Sequence, residues 1–171
     1  MPRILTSNDF LTVPWKNGGG TTVQLYCLEN PQNPEDFHLR LSKAQVTQDG
    51  PFSDFPGIDR TLLLLEGHGI ILNFPDEVEV ALENLLQPIH FEGEANIHAK
   101  LIAGAVTDFN VMIDRLWGEA QTTLSTAMQF KADVLTVIYD YHRDEIIVLE
   151  AEESWERQTS TTLIVVDVQK Y

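Results

Sequence analysis

An all-β fold follows from three features of this 171-residue sequence. Apolar residues recur at a spacing of two, turn-forming clusters break the chain at short intervals, and no long stretch holds the 3.6-residue period of a helix. Short strands separated by regular punctuation favour a sandwich or barrel over a layered α/β arrangement.

Taken in order, residues 23–26 and 39–42 alternate apolar and polar side chains, as strands with two different faces do. Residues 61–65 and 162–166 are apolar runs that read as strands buried on both faces. In residues 77–83, Val78, Val80 and Leu82 face one way and Glu77, Glu79 and Glu83 the other, which predicts one wet face. Further strands are predicted at 97–102, 109–113, 122–130, 135–139 and 145–149, with turn clusters at 30–34, 49–51, 56–57, 73–76 and 92–94. Residues 114–120 lack alternation and read as a joint between two β halves, although no sequence repeat marks the halves.

The bulk numbers restrict function. A hydrophobic fraction of 43% suits an ordinary core, whereas 26 Asp and Glu against eleven Lys and Arg leave a net charge of −15. Such a chain repels phosphate backbones, and its few cations form no basic stripe, so no nucleic-acid partner is expected. The longest apolar runs are too short to span a bilayer, and the first residues do not resemble a signal peptide. With a single cysteine, Cys27, the expected compartment is cytoplasmic, with no membrane partner.

Several residue groups invite a chemical reading. Gly18, Gly19 and Gly20 mark a place where the chain turns or something approaches it closely, either a neighbouring loop or an anion resting on backbone N–H groups. Lys16 precedes them and a strand-like run follows, so this is not a P-loop. The five histidines include no His-x-His pair, and only Glu66-x-His68 would share a strand face, so no metal is expected. Cys27 has no basic neighbour in sequence and reads as a small buried hydrophobe. Arg40 alternates with Leu39 and Leu41 and points to solvent or to an interior, where it would hold an anionic ligand or an Asp or Glu of the chain. Residues 50–60 combine two prolines, two glycines and two phenylalanines in a stiff loop that lines a pocket or plugs a barrel end.

Taken together, Trp15-Lys16-Asn17-Gly18-Gly19-Gly20-Thr21-Thr22, Arg40-Leu41-Ser42, the loop at 50–60, Leu65-Glu66-Gly67 and Asp108-Phe109-Asn110-Val111-Met112 resemble the HutD/Ves family of bacterial proteins. The resemblance implies a bicupin, two fused cupin-type (RmlC-like jelly-roll) β-barrels. Residues 1–113 would form the N-terminal barrel with the ligand pocket, and residues 114–171 would complete a second, smaller one, with strands exchanged between the halves. It further implies no metal ligands, no cofactor, and a non-enzymatic regulatory role in histidine utilisation, sensing urocanate or a similar small carboxylate. Two departures, Val23-Gln24 where the family often has Arg-Glu and Leu39 where it often has an aromatic residue, predict a changed pocket wall.

The expected site has Arg60 holding the carboxylate, with Arg40 as second choice. Asn17, the Gly18 and Gly19 amides and Ser53 would add neutral donors, while Phe52 and Trp15 would cover an unsaturated ring. Asn110 and Met112 are expected beside the same pocket. No catalytic residue is expected. The alternative is a metal-free cupin enzyme of isomerase or epimerase type, with His68, His98 or Glu66 as general base. Pairing into a homodimer is compatible with the sequence.

Overall fold

The computed structural model describes residues Met1–Tyr171. Apart from one 3-10 turn at Pro75–Glu77, its regular structure is all β, so the expected fold class holds. No helix is long and apolar enough to cross a membrane. The strands are β1 (Arg3–Leu5), β2 (Leu11–Pro14), β3 (Gly20–Asn30), β4 (Asn33–Val46), β5 (Gly50–Pro51), β6 (Ile58–Glu66), β7 (Ile70–Asn73), β8 (Glu79–Leu82) and β9 (Ile89–Glu92). They continue with β10 (His98–Leu101), β11 (Val106–Asp114), β12 (Gly118–Ser125), β13 (Gln129–Lys131), β14 (Leu135–Asp140), β15 (Glu145–Leu149), β16 (Ser154–Glu156) and β17 (Leu163–Lys170).

The chain divides into two compact units, Leu11–Leu116 and the combination of Met1–Phe10 with Trp117–Tyr171. The first ten residues were expected in the N-terminal barrel. They belong instead with the C-terminal strands, because β1 pairs antiparallel with β15, Ile4 opposite Ile147. The joint expected at 114–120 is shorter than it reads: β11 runs through Asp114 and β12 begins at Gly118. Polar residues dominate β12, so its alternation is faint in sequence.

In the unit Leu11–Leu116, a six-stranded sheet has the order β2-β3-β4-β11-β6-β9 and a four-stranded sheet the order β5-β10-β7-β8. Its core contains Val46, Leu62, Leu64, Ile70, Leu72, Leu82, Ile97, Ala99 and Val106. Each fully buried leucine or isoleucine contributes roughly 1.5–3 kcal/mol by leaving water. The run at 61–65 is buried on both faces as predicted, with Leu63 as inaccessible as Leu62 and Leu64. The strand predicted at 77–83 starts later, at Glu79, because the turn at Pro75–Glu77 occupies its beginning and leaves Val78 exposed.

The other unit has a five-stranded sheet, β1-β15-β14-β17-β12, and the pair β13-β16. Ile138, Ile147, Leu149, Leu163 and Val165 form its core, and Phe130 and Trp155 from the pair pack on it with ring centroids 5.8 Å apart.

Candidate functional site

Period-two alternation and strand register together build one face of the six-stranded sheet. On β11, Val106, Asp108, Asn110 and Met112 point the same way. Opposite them stand Val46, Ala44, Ser42 and Arg40 of β4, while Leu64, Leu62 and Arg60 of β6 face Asp108, Asn110 and Met112. The face therefore grades from apolar at one end, where it joins the core, to polar and then cationic at the other. Over the cationic end lies a cavity of about 420 Å³.

Two loops complete its walls. In the first, Trp15 N–H donates to the Gly20 carbonyl (2.9 Å), and the Trp15 indole N–H donates to Thr22 Oγ1 (2.8 Å), which fixes the ring at the cavity edge. Gly20 is required here by close approach, since a Cβ would collide with the Gln45 carbonyl oxygen and lie 3.0 Å from the Trp15 ring. Gly20→Ala is expected to cost about 1–3 kcal/mol by overpacking, read as a lower denaturation midpoint with altered tryptophan fluorescence. An unchanged midpoint would remove this account of the glycine. In the second loop, Phe52 N–H donates to the Ile97 carbonyl and Phe55 N–H to the Gly93 carbonyl, each at 2.9 Å, and these bonds hold both rings against the cavity.

The electrostatics of the cavity run against those of the chain. Three cationic side chains, Lys16, Arg40 and Arg60, line it beside a single carboxylate, Asp108. Arg60 is buried, and its Nη2 donates to Asn110 Oδ1 at 2.7 Å. Asn110 Nδ2 in turn donates to Asp108 Oδ1 at 2.6 Å. The Arg60 guanidinium also lies 5.4 Å from the Phe52 ring centroid, 5.6 Å from that of Phe55 and 5.0 Å from that of Phe91. Arg40 lies 4.6 Å from Phe37 and 5.0 Å from Phe55, with its Nη2 3.6 Å from Met112 Sδ. The Nε of each arginine is buried without a partner. Neither forms an ion pair, whereas the more exposed Arg115 is clamped by Glu94 and Asp59. The ion-pair reading of Arg40 is thereby replaced by one in which aromatic faces cradle the cation.

Burial depresses the Arg60 pKa to about 10, the Asp108 charge opposing and the Arg40 charge reinforcing that shift. Burial likewise raises Asp108 to about 7, against the pull of Arg60, the Asn110 amide and the Ala44 backbone. Cys27, half-buried opposite Arg40 in the β3–β4 register, has its thiol pushed up by burial.

Of the residues expected at the site, Arg60, Arg40, Asn17, Trp15, Phe52, Ser53, Asn110 and Met112 all line the cavity. Gly18 and Gly19 do not, and their amides are spent within the loop: Gly18 N–H donates to the Trp15 carbonyl and Gly19 N–H to Asn17 Oδ1. They shape the wall but offer no free donor to an anion. The departures at Val23, Gln24 and Leu39 also lie off the cavity, Leu39 being buried on the opposite sheet face, so they leave its wall unchanged. His68, His98 and Glu66, proposed as bases, are not in the lining either. No group of three or more His, Cys, Asp or Glu is arranged to hold a metal ion. Sequence reasoning missed Asp108 as a site residue. The signal was its place in Asp108-x-Asn110-x-Met112, which puts all three on one strand face.

Comparison with known proteins matches the HutD family model over residues 7–166. The chain belongs to the HutD family. Among its relatives, a protein named Ves from Escherichia fergusonii is 40% identical over 99 residues, covering 57% of this chain and 50% of that protein. An uncharacterized 21.2 kDa protein in the hutC 3′ region of Pseudomonas putida is 33% identical over 110 residues, covering 64% and 57%. These matches span about half the length of those curated relatives. In three dimensions the chain resembles HutD from Pseudomonas fluorescens SBW25, with a TM-score of 0.85 at 22% identity and full coverage of both chains. A conserved protein of unknown function from Pseudomonas aeruginosa PAO1 gives a TM-score of 0.75 at 24% identity, again over both full chains. These likenesses establish the fold.

Proposed function

We propose that this HutD-family chain is a cytoplasmic bicupin that binds a small carboxylate, urocanate or a similar anion, in the Arg60 cavity and thereby regulates histidine catabolism without chemistry of its own. The observation that carries the reading is the pair of ion-unpaired guanidiniums, Arg40 and Arg60, in one small cavity of a strongly acidic chain. A buried cation with donors to spare is costly when empty and is matched by a carboxylate through charge-assisted hydrogen bonds. Phe52 and Trp15 supply flat faces suited to the conjugated ring of urocanate. The P. putida relative, placed beside hutC by its description, supports the link to histidine utilisation. Titration calorimetry with urocanate tests this directly, with heat expected for the wild type and none for Arg60→Met at the same concentrations. Absence of heat in both proteins, or equal affinity in both, overturns it.

Asp108 favours a second reading. A carboxyl whose pKa lies near 7 inside a ligand cavity is poised to take or give a proton, as a metal-free isomerase or epimerase requires. Under this reading Asp108 replaces His68, His98 and Glu66 as the general base. Proton NMR of urocanate with the protein in D2O would then show C–H exchange or a new product, abolished in Asp108→Asn. A spectrum that stays constant over days rejects the enzymatic reading.

A further inference from the structure

The two arginines do not form one fork. Arg40 on β4 and Arg60 on β6 both stand opposite Met112, on the two strands that flank β11. Their backbones are therefore two strand spacings apart, about 9.6 Å. Each guanidinium has its own aromatic support, Phe37 under Arg40 and Phe52 and Phe91 beside Arg60, and its own neutral neighbour, Met112 Sδ or Asn110 Oδ1. Only Phe55 is shared, at 5.0 Å from Arg40 and 5.6 Å from Arg60. The cavity thus offers two cationic seats with an apolar bridge between them.

We propose that the ligand of this cavity carries two anionic groups, one on Arg60 and the other on Arg40, joined by a short carbon linker against Phe55 and Met112. The inference rests on the anion-binding reading given above and narrows its ligand class to small dianions, of which dicarboxylates are the simplest. Three arguments support it. Each guanidinium has five N–H donors and uses few of them, with both Nε atoms left buried and unpartnered. Lys16, Arg40 and Arg60 outnumber the single carboxyl of Asp108, so a monoanion leaves the cavity with surplus positive charge whether Asp108 is protonated or ionised, and a second anionic group offsets more of it. The volume of about 420 Å³ is at the small end for ligand sites, which suits a compact diacid. Urocanate, with a single carboxylate, satisfies the Arg60 seat alone.

Calorimetry with butyrate, succinate and glutarate on the wild type and on Arg40→Gln tests the proposal. The wild type is expected to bind one of the two diacids at least tenfold more tightly than butyrate, since a second charge-assisted contact is added. In Arg40→Gln that ratio should fall to within about threefold of unity. A wild-type ratio near one overturns the proposal while leaving the anion site standing, because both arginines would then grip a single carboxylate. A ratio that survives in Arg40→Gln overturns it too. If none of the three acids binds, the underlying anion reading fails, and this inference with it.

Discussion

Arg60→Met is expected to lose carboxylate affinity by about a hundredfold or more while the folding free energy changes by less than about 1 kcal/mol. The two halves of that expectation have separate causes. Binding falls because the buried cation that meets the carboxylate is gone, and truncating one partner of a buried charge pair costs 2–5 kcal/mol or more. Stability is nearly conserved because opposing terms meet. Holding Arg60 charged in its buried position depresses its pKa to about 10, a shift worth about 3 kcal/mol that the apolar side chain releases. Against this, Asn110 Oδ1 loses its 2.7 Å bond, which costs about 1–3 kcal/mol, and the contacts to Phe52, Phe55 and Phe91 lose their cationic component. An arginine retained for the fold would behave oppositely, with a large drop in the urea midpoint and little change in affinity. Urea unfolding beside calorimetry on the same two proteins separates the cases.

The legible part of the site was the part written within single strands and single loops. Alternation around Arg40 gives its face, and the crowding of Phe52 and Phe55 into a Pro- and Gly-rich loop gives a stiff aromatic wall. What joins these pieces is register, and register is not local. Arg60 donates to Asn110 across fifty positions of sequence because β6 and β11 pair with Leu62 opposite Asn110. No pattern within either strand specifies that alignment. The glycine amides misled for the converse reason. An Asn two residues before a backbone N–H readily takes that N–H for itself, as Asn17 does with Gly19, so the local turn chemistry competes with any ligand. Asp108 escaped notice because one more acidic residue in so acidic a chain carries little information until its burial is known. The fold shows the same division. The all-β class follows from local alternation, but the place of β1 beside β15 depends on a pairing that spans most of the chain.

Affinity for a carboxylate is expected to fall as pH rises through about 7, approaching tenfold per pH unit on the alkaline side, and Asp108→Asn is expected to abolish that dependence. Burial is the main reason the Asp108 carboxyl holds its proton to so high a pH. Below that point the carboxyl is neutral, so Arg60 and Arg40 present their charge to the ligand unopposed. Above it a carboxylate shares the cavity with the incoming anion, and the two repel in a poorly solvated space. Binding thus favours the protonated form and draws in a proton. Arg60 remains charged throughout this range, since its pKa lies near 10. The contribution of Asp108 to folding stability has the same sign. Between the ordinary carboxyl value of about 4 and about 7 the native state holds a proton that the unfolded chain has released, so stability declines as pH rises across that window. The groups that face this carboxyl are Arg60, the Asn110 amide and the Ala44 backbone, and an asparagine at this position retains an oxygen for Asn110 Nδ2. Glutarate titrations from about pH 6 to pH 8.5, in buffers of different ionisation enthalpy, report affinity and proton uptake together. A flat profile in the wild type, or an equally steep one in Asp108→Asn, would show that Asp108 does not govern the charge of the cavity.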